Sequence, residues 1–151
     1  MIYLWLGVAA AMFGLYNVFI KLSSDHIHAV LGAVVLQFVA ALMGLAVLLW
    51  LYRDSAVDIS MTGRGLAWSA LAGLAIGLVE ILSFFIYGRG IAVAVGNPLI
   101  VGGSLIVTTG VGLVLLREHF NAIQFAAVAL IMTGIGLLAW QAAAQPGSGG
   151  A

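Results

Sequence analysis

Residues Gly65–Tyr87 read GLAWSALAGLAIGLVEILSFFIY, 23 residues that carry a single charge, Glu80. About 20 predominantly apolar residues are enough for a helix to cross a hydrocarbon core about 30 Å thick. The stretch therefore reads as a membrane span, and its one acid is the anomaly within it. Four further stretches have the same character: Ile2–Leu22, Ala29–Tyr52, Ile91–Leu116 and Ala122–Trp140. The expected fold is an all-α membrane protein of five transmembrane helices, forming one domain over residues 1–141. Residues 142–151, with Pro146 followed by Gly-Ser-Gly-Gly, read as a disordered tail or an appended linker.

Composition gives the same answer without periodicity. The 151 residues are 64% hydrophobic and 7% charged, with a mean hydropathy of +1.24. A soluble domain carries about 25% charged residues to clothe its surface, so lipid must be the main solvent here. Five basic and five acidic side chains cancel, which leaves no basis for nucleic acid as a partner. The absence of cysteine excludes a disulfide scaffold and a thiolate metal site. Within the apolar segments no serine, histidine and acid stand together, and no enzyme activity is expected. The first segment has no basic residue ahead of its apolar run and exceeds the roughly 7–15 residues of a cleaved signal core. It reads as a retained helix.

The breaks hold nearly all the charge: Lys21 to His28, Arg53 to Arg64, Gly88-Arg89-Gly90 and Arg117-Glu118-His119. Threading the five spans places Tyr3, Trp5, Trp50, Tyr52 and Trp68 at one membrane face, with Tyr87 and Trp140 at the other. Tryptophan and tyrosine favour this interface; Tyr16 fits neither belt. Arg53, Arg64 and Arg117 fall on the N-terminal face against Lys21 and Arg89 on the other. The richer side is normally cytoplasmic. Three against two permits either an N-inside orientation or insertion both ways with antiparallel pairing.

Polar groups in hydrocarbon are costly unless paired, so the few present are informative. At a rise of about 1.5 Å per residue, Asn17 sits about 7 Å beyond the centre of its helix. On the same measure Gln37 lies about 5 Å and Glu80 about 5–6 Å off centre, all displaced towards the face away from the N-terminus. Asn97 falls in that half too. On the helix bearing Glu80, Gly73, Gly77, Phe84 and Tyr87 share its face, and Gly73-xxx-Gly77 is a pattern that lets a neighbouring helix approach. Ala33, Ala40, Ala41 and Gly44 form a small-residue face around Gln37, and Ser104, Thr108 and Gly112 form another on the fourth helix. Lining a cavity, these faces make Glu80, Asn17, Gln37, Asn97, Tyr87, Ser104 and Thr108 the candidate binding residues. The alternative for Glu80 is a structural tie to Lys21 or Arg89, and for Asn17 and Gln37 interhelical hydrogen bonding. Asn121 and Gln124 have the spacing of a capping box, and Asn97-Pro98 that of an N-cap and N1 proline at which the fourth helix restarts. Asp25-His26-x-His28 has a spacing open to a metal, but His119 lies at the opposite face; neither a metal nor a cofactor is expected.

These residues resemble the EamA domain of the drug/metabolite transporter superfamily. The likeness lies in Gly96-Asn-Pro-Leu-Ile100, in Leu115-Leu-Arg-Glu118 through Gln124, in Leu130-Ile-Met-Thr-Gly134, and in Phe13-Gly-Leu-Tyr-Asn17 with Lys21. It covers nearly the whole chain. Arg117 stands where the family usually has glycine before the acid, Ala127 where it often has glycine, and Gln37 where many members carry arginine. Glu80 is not a general hallmark of the family. Most members hold two five-helix repeats in inverted orientation, and this chain is similar to one. The resemblance implies a half-size secondary transporter in the cell's inner membrane, paired as an antiparallel homodimer. Its cargo would be a small organic metabolite or drug-like compound, with a proton as candidate coupling ion. Two other readings stand beside it: a lipid-carrier flippase subunit, and a non-transporting assembly subunit of a larger membrane complex.

Overall fold

A computed structural model describes residues 1–53 and 61–144. It contains five helices, α1 (Ile2–Ser24), α2 (Ala29–Arg53), α3 (Gly63–Tyr87), α4 (Val93–Val114) and α5 (Ala122–Ala144), with no strand among the described residues. Each is long and apolar enough to span a membrane. The protein is thus an all-α membrane protein of five helices. Most of the connection expected between Arg53 and Arg64 lies outside the described residues. The same holds for residues 145–151 of the expected tail; its first part, Ala142-Ala-Ala144, instead continues α5. Alanine has the highest helix propensity of any residue, which extends the helix beyond Trp140.

Two boundaries differ from the sequence reading for local reasons. Helix α3 starts two residues early because the Thr62 hydroxyl accepts from the Gly65 N–H at 3.1 Å. Helix α4 runs through Pro98 without restarting, and Asn97 is an interior residue rather than a cap. The Val95 and Gly96 N–H groups both return to the Ala92 carbonyl, at 3.0 and 2.9 Å, so the first turn is closed before the proline is reached. Proline then removes one later donor, a loss that helices in membranes tolerate.

The domain expected over residues 1–141 divides into two compact units, Met1–Arg89 and the chain from Gly90 onward. In the first unit α3 packs against both α1 and α2, which touch one another more lightly. Burial is confined to one end of these helices. It takes in Asn17 and Ile20 of α1, Gly32 and Ala33 of α2, and Glu80, Ser83, Phe84 and Tyr87 of α3. By contrast Ile2–Phe13, Phe38–Trp50 and Gly63–Ile76 are exposed throughout, an apolar surface suited to lipid. Glycine makes the packed end possible. A Cβ on Gly32 would lie 2.5 Å from the Phe84 ring, and one on Gly88 would lie 3.4 Å from the Ser24 carbonyl oxygen. Of the expected pair, Gly77 lies under Gln37, whereas Gly73 has nothing within 4 Å. Gly73 lies in the exposed half of α3, so the close approach is made one turn later.

The second unit is the pair α4 and α5. A Cβ on Gly102 would meet the Ile135 side chain at 2.5 Å, which marks the contact between the two helices. Their connection is tightly specified. The Asn121 N–H donates to Gln124 Oε1 at 2.8 Å, and the Gln124 N–H donates to Asn121 Oδ1 at 2.9 Å. This is the reciprocal capping box expected from the sequence. Phe120 and Phe125 pack edge to face with centroids 5.6 Å apart, adding the apolar staple that often accompanies such a box. Arg117 precedes it with φ 55°, the left-handed region.

Candidate functional site

The site is built at the packed end of the first unit. Positions 80, 83, 84 and 87 recur at helical spacing, so Glu80, Ser83, Phe84 and Tyr87 emerge on the side of α3 that meets α1 and α2. Glu80 is 3% exposed. Its Oε2 is buried and has no hydrogen-bond partner among the described residues. The Tyr16 hydroxyl of α1 faces the same carboxyl. One turn towards the start of α3, the Gln37 amide lies over Gly77, where an added Cβ would be 3.3 Å from Nε2.

Above the carboxyl, towards the Lys21 end, Tyr87 is fully buried and donates its hydroxyl proton to Asn17 Oδ1 at 3.3 Å. Asn17 in turn donates through Nδ2 to the Phe13 carbonyl of its own helix at 2.9 Å. Tyr87 had been expected in the interfacial belt. It is an interior residue instead, because α1 and α2 close over the last turn of α3. Lys21 covers this end, with Nζ donating to the Tyr87 carbonyl at 2.9 Å and to Asp25 at 3.3 Å. The Arg89 guanidinium stacks on the Phe85 ring at 4.1 Å from its centroid. Both cations that the sequence offered as structural ties for Glu80 are thus engaged elsewhere. No ion pair to Glu80 is formed among the described residues.

An open, apolar groove of about 660 Å³ runs between α1 and α2 with Phe84 at its back. Tyr16, Phe19 and Ile20 form one wall, and Val35, Val39 and Met43 form the other. Tyr16 therefore borders both the groove and the Glu80 carboxyl. The sequence reading did not select it as a site residue. The signal was present: a tyrosine in mid-span, away from either interface, has a polar atom that needs a partner.

The remaining candidates belong to the second unit. Ser104 Oγ donates to the Val101 carbonyl at 2.7 Å, and Thr108 Oγ1 donates to the Ser104 carbonyl at 2.9 Å. Both are exposed on α4, with their hydroxyls satisfied by their own helix. Gly112 lies beneath the Glu118 carboxyl, 2.7 Å from where its Cβ would be, rather than facing a cavity. Asn97 Oδ1 is buried without a partner among the described residues. The structure joins Asn17 to Tyr87 and buries Glu80 on the same face of α3 two turns away, with Gln37 over Gly77 one turn beyond the acid.

Fold and site together define a multi-pass membrane protein whose first three helices enclose an acid, Glu80, with no ion-pair partner among the described residues. Comparison with protein-family models, with curated proteins and with solved structures finds nothing that matches this chain.

Proposed function

We propose that this chain is a half-size secondary transporter of a small organic metabolite or drug-like compound. In this reading it resides in the cytoplasmic membrane as an antiparallel homodimer of EamA-like repeats. The observation that carries the reading is the Glu80 carboxyl, buried in a membrane-spanning helix with one oxygen unpartnered. Ionisable groups at such depth are expensive and as a rule mark ion or substrate pathways. A purely structural acid would be expected to take a basic partner, and Lys21 and Arg89 are both occupied.

On this reading Glu80 holds either a proton or a cationic group of the cargo, never both, and that exclusion couples their movements. Tyr16 and Gln37 flank the carboxyl, and Asn17 holds Tyr87 above it. The long unpacked halves of α1, α2 and α3 are the surface available to a second copy. Rocking of one copy against the other would expose the site alternately, as inverted repeats do in many transporters. The near-balance of basic residues on the two faces supports an antiparallel pair. The test uses the full chain in proteoliposomes with an imposed pH gradient driving uptake of a radiolabelled organic cation. Glu80→Gln is expected to abolish the gradient-driven component. Unchanged rate and pH dependence in that variant would overturn the coupling role.

A further inference from the structure

Glu80 lies seven residues from the end of α3, Gly63–Tyr87, and far from its start. At about 1.5 Å per residue the short route from the acid to water is about 10 Å long, and the structure closes it. Two side-chain bonds fasten α1 to α3 across that route, and Tyr87 takes part in both. Its hydroxyl donates to Asn17 Oδ1 at 3.3 Å, and its carbonyl accepts from Lys21 Nζ at 2.9 Å. That carbonyl is one of those a helix end leaves without an internal partner, and a cation there complements the helix dipole. Ile20 and Tyr87, 1% and 0% exposed, are the two largest fully buried side chains among the described residues, both at this end. Beyond them Gly88 brings the backbones themselves together, since a Cβ there would lie 3.4 Å from the Ser24 carbonyl oxygen. Among the described residues no side-chain hydrogen bond joins α1 to α3 on the other side of Glu80, towards the start of α3.

We propose that this clasp is a gate, closed here, on the Lys21 side of Glu80, with Tyr87 as the residue that shuts it. Its bonds are arranged so that opening strands few polar groups. Lys21 also holds Asp25 at 3.3 Å, so its ammonium keeps a partner on leaving the Tyr87 carbonyl. Asn17 keeps its bond to the Phe13 carbonyl on leaving the Tyr87 hydroxyl. Water at the membrane face then has to satisfy only the two polar groups of Tyr87 and the Asn17 oxygen. Parting the helix ends uncovers Ser83 first, one turn short of the acid, and Glu80 next. This inference rests on the proposed transport reading and adds to it the residues that open the acid to one face.

The chain has no cysteine, so Ser83→Cys, at a position 3% exposed between Glu80 and Tyr87, gives a single thiol behind the gate. Its reaction with a membrane-impermeant maleimide is followed in proteoliposomes with reagent on both faces, which makes orientation immaterial. The rate should be low, and should rise roughly tenfold or more when Lys21→Met and Tyr87→Phe together remove the two interhelical bonds. Gly88→Ile, which wedges the helix ends apart without removing either donor, should raise it too. Leu130→Cys, exposed in mid-span of α5, should stay unreactive in the same backgrounds. A Ser83→Cys rate that rises in neither background would overturn the gate. A parallel rise at Leu130→Cys would also overturn it, because the clasp would then support the whole fold. The gate must move as well: bridging Ser24→Cys to Gly88→Cys with a reducible bis-thiosulfonate should stop gradient-driven cation uptake until the bridge is reduced. Uptake that continues through the bridge sinks the inference while leaving the transport reading intact. If uptake proves independent of Glu80, the transport reading fails, and the thiol rates still decide whether the clasp seals the acid.

Discussion

Tyr87 holds two positions that residue spacing assigns to different roles. As the last residue of α3 it belongs to the membrane interface. As the residue seven after Glu80 it belongs to the acid's face, and it is fully buried with its hydroxyl on Asn17. Spacing recorded both assignments; only the closure of α1 and α2 over the end of α3 decides between them. Tyr87→Phe keeps the ring and removes the donor, leaving Asn17 Oδ1 without this bond. Interhelical hydrogen bonds in membranes contribute roughly 0.5–2 kcal/mol, so Tyr87→Phe should destabilise by about 1 kcal/mol in a detergent unfolding titration. Loss of much more would mean that the hydroxyl supports further groups. That Asn17, Glu80 and Tyr87 lie towards one end of their helices was readable from the sequence because helical rise converts residue number to position along the axis. Tyr16 was not readable as Glu80's neighbour, since height alone does not give the rotation of α1 against α3. Asn97 was misread as a cap because Asn-Pro is a common helix start, and here the cap position is Ala92, five residues earlier.

Among the elements, the α4–α5 connection was the most legible part of the chain. Asn121 and Gln124 interact locally, so their spacing alone sets the cap, and the reciprocal bonds form as expected. Arg117 marks the other side of this connection. Its φ of 55° is the conformation that glycine adopts freely. Left-handed backbone costs a residue with a Cβ roughly 1–2 kcal/mol, and glycine's greater freedom in the unfolded chain offsets part of that. Arg117→Gly should therefore raise stability by up to about 1 kcal/mol, read as a higher Tm in detergent; a lower Tm would mean that the guanidinium makes a compensating contact. At the α2–α3 contact the direction reverses. Gly32→Ala places a methyl group against the Phe84 ring, and overpacking of this kind costs about 1–3 kcal/mol. The companion change Phe84→Leu should return part of that loss in the double variant. Additive losses would show that Gly32 and Phe84 are not in the contact described.

For the molecule as a whole, five spans were legible because hydrophobic length is a one-dimensional property. Which surfaces meet was less so. Helices α2 and α5 are apolar on all sides, and a lipid-facing leucine is no different in sequence from one that faces a helix. Hence the unpacked halves of α1, α2 and α3 could not be foreseen, nor the isolation of Gly73. Orientation belongs to this scale as well. Arg53, Arg64 and Arg117 are opposed by Lys21 and Arg89, and if the chain pairs antiparallel as proposed, a reporter fused to the C-terminus should be active on both sides of the membrane in comparable amounts. One-sided activity would exclude an antiparallel homodimer.

The bond between Asn17 and Tyr87 joins residues 70 positions apart, and this has a consequence for synthesis. Helix α1 enters the bilayer long before its partner has been made. Until then Asn17 has its own turn for its amide protons, through the Phe13 carbonyl, and no Tyr87 for its oxygen. The first helix is therefore an unfinished surface during translation, and the ribosome must reach the end of α3 before that surface can be completed. A chain truncated just short of Tyr87 should leave α1 open to capture by quality-control proteases, whereas one ending just after Arg89 should retain it.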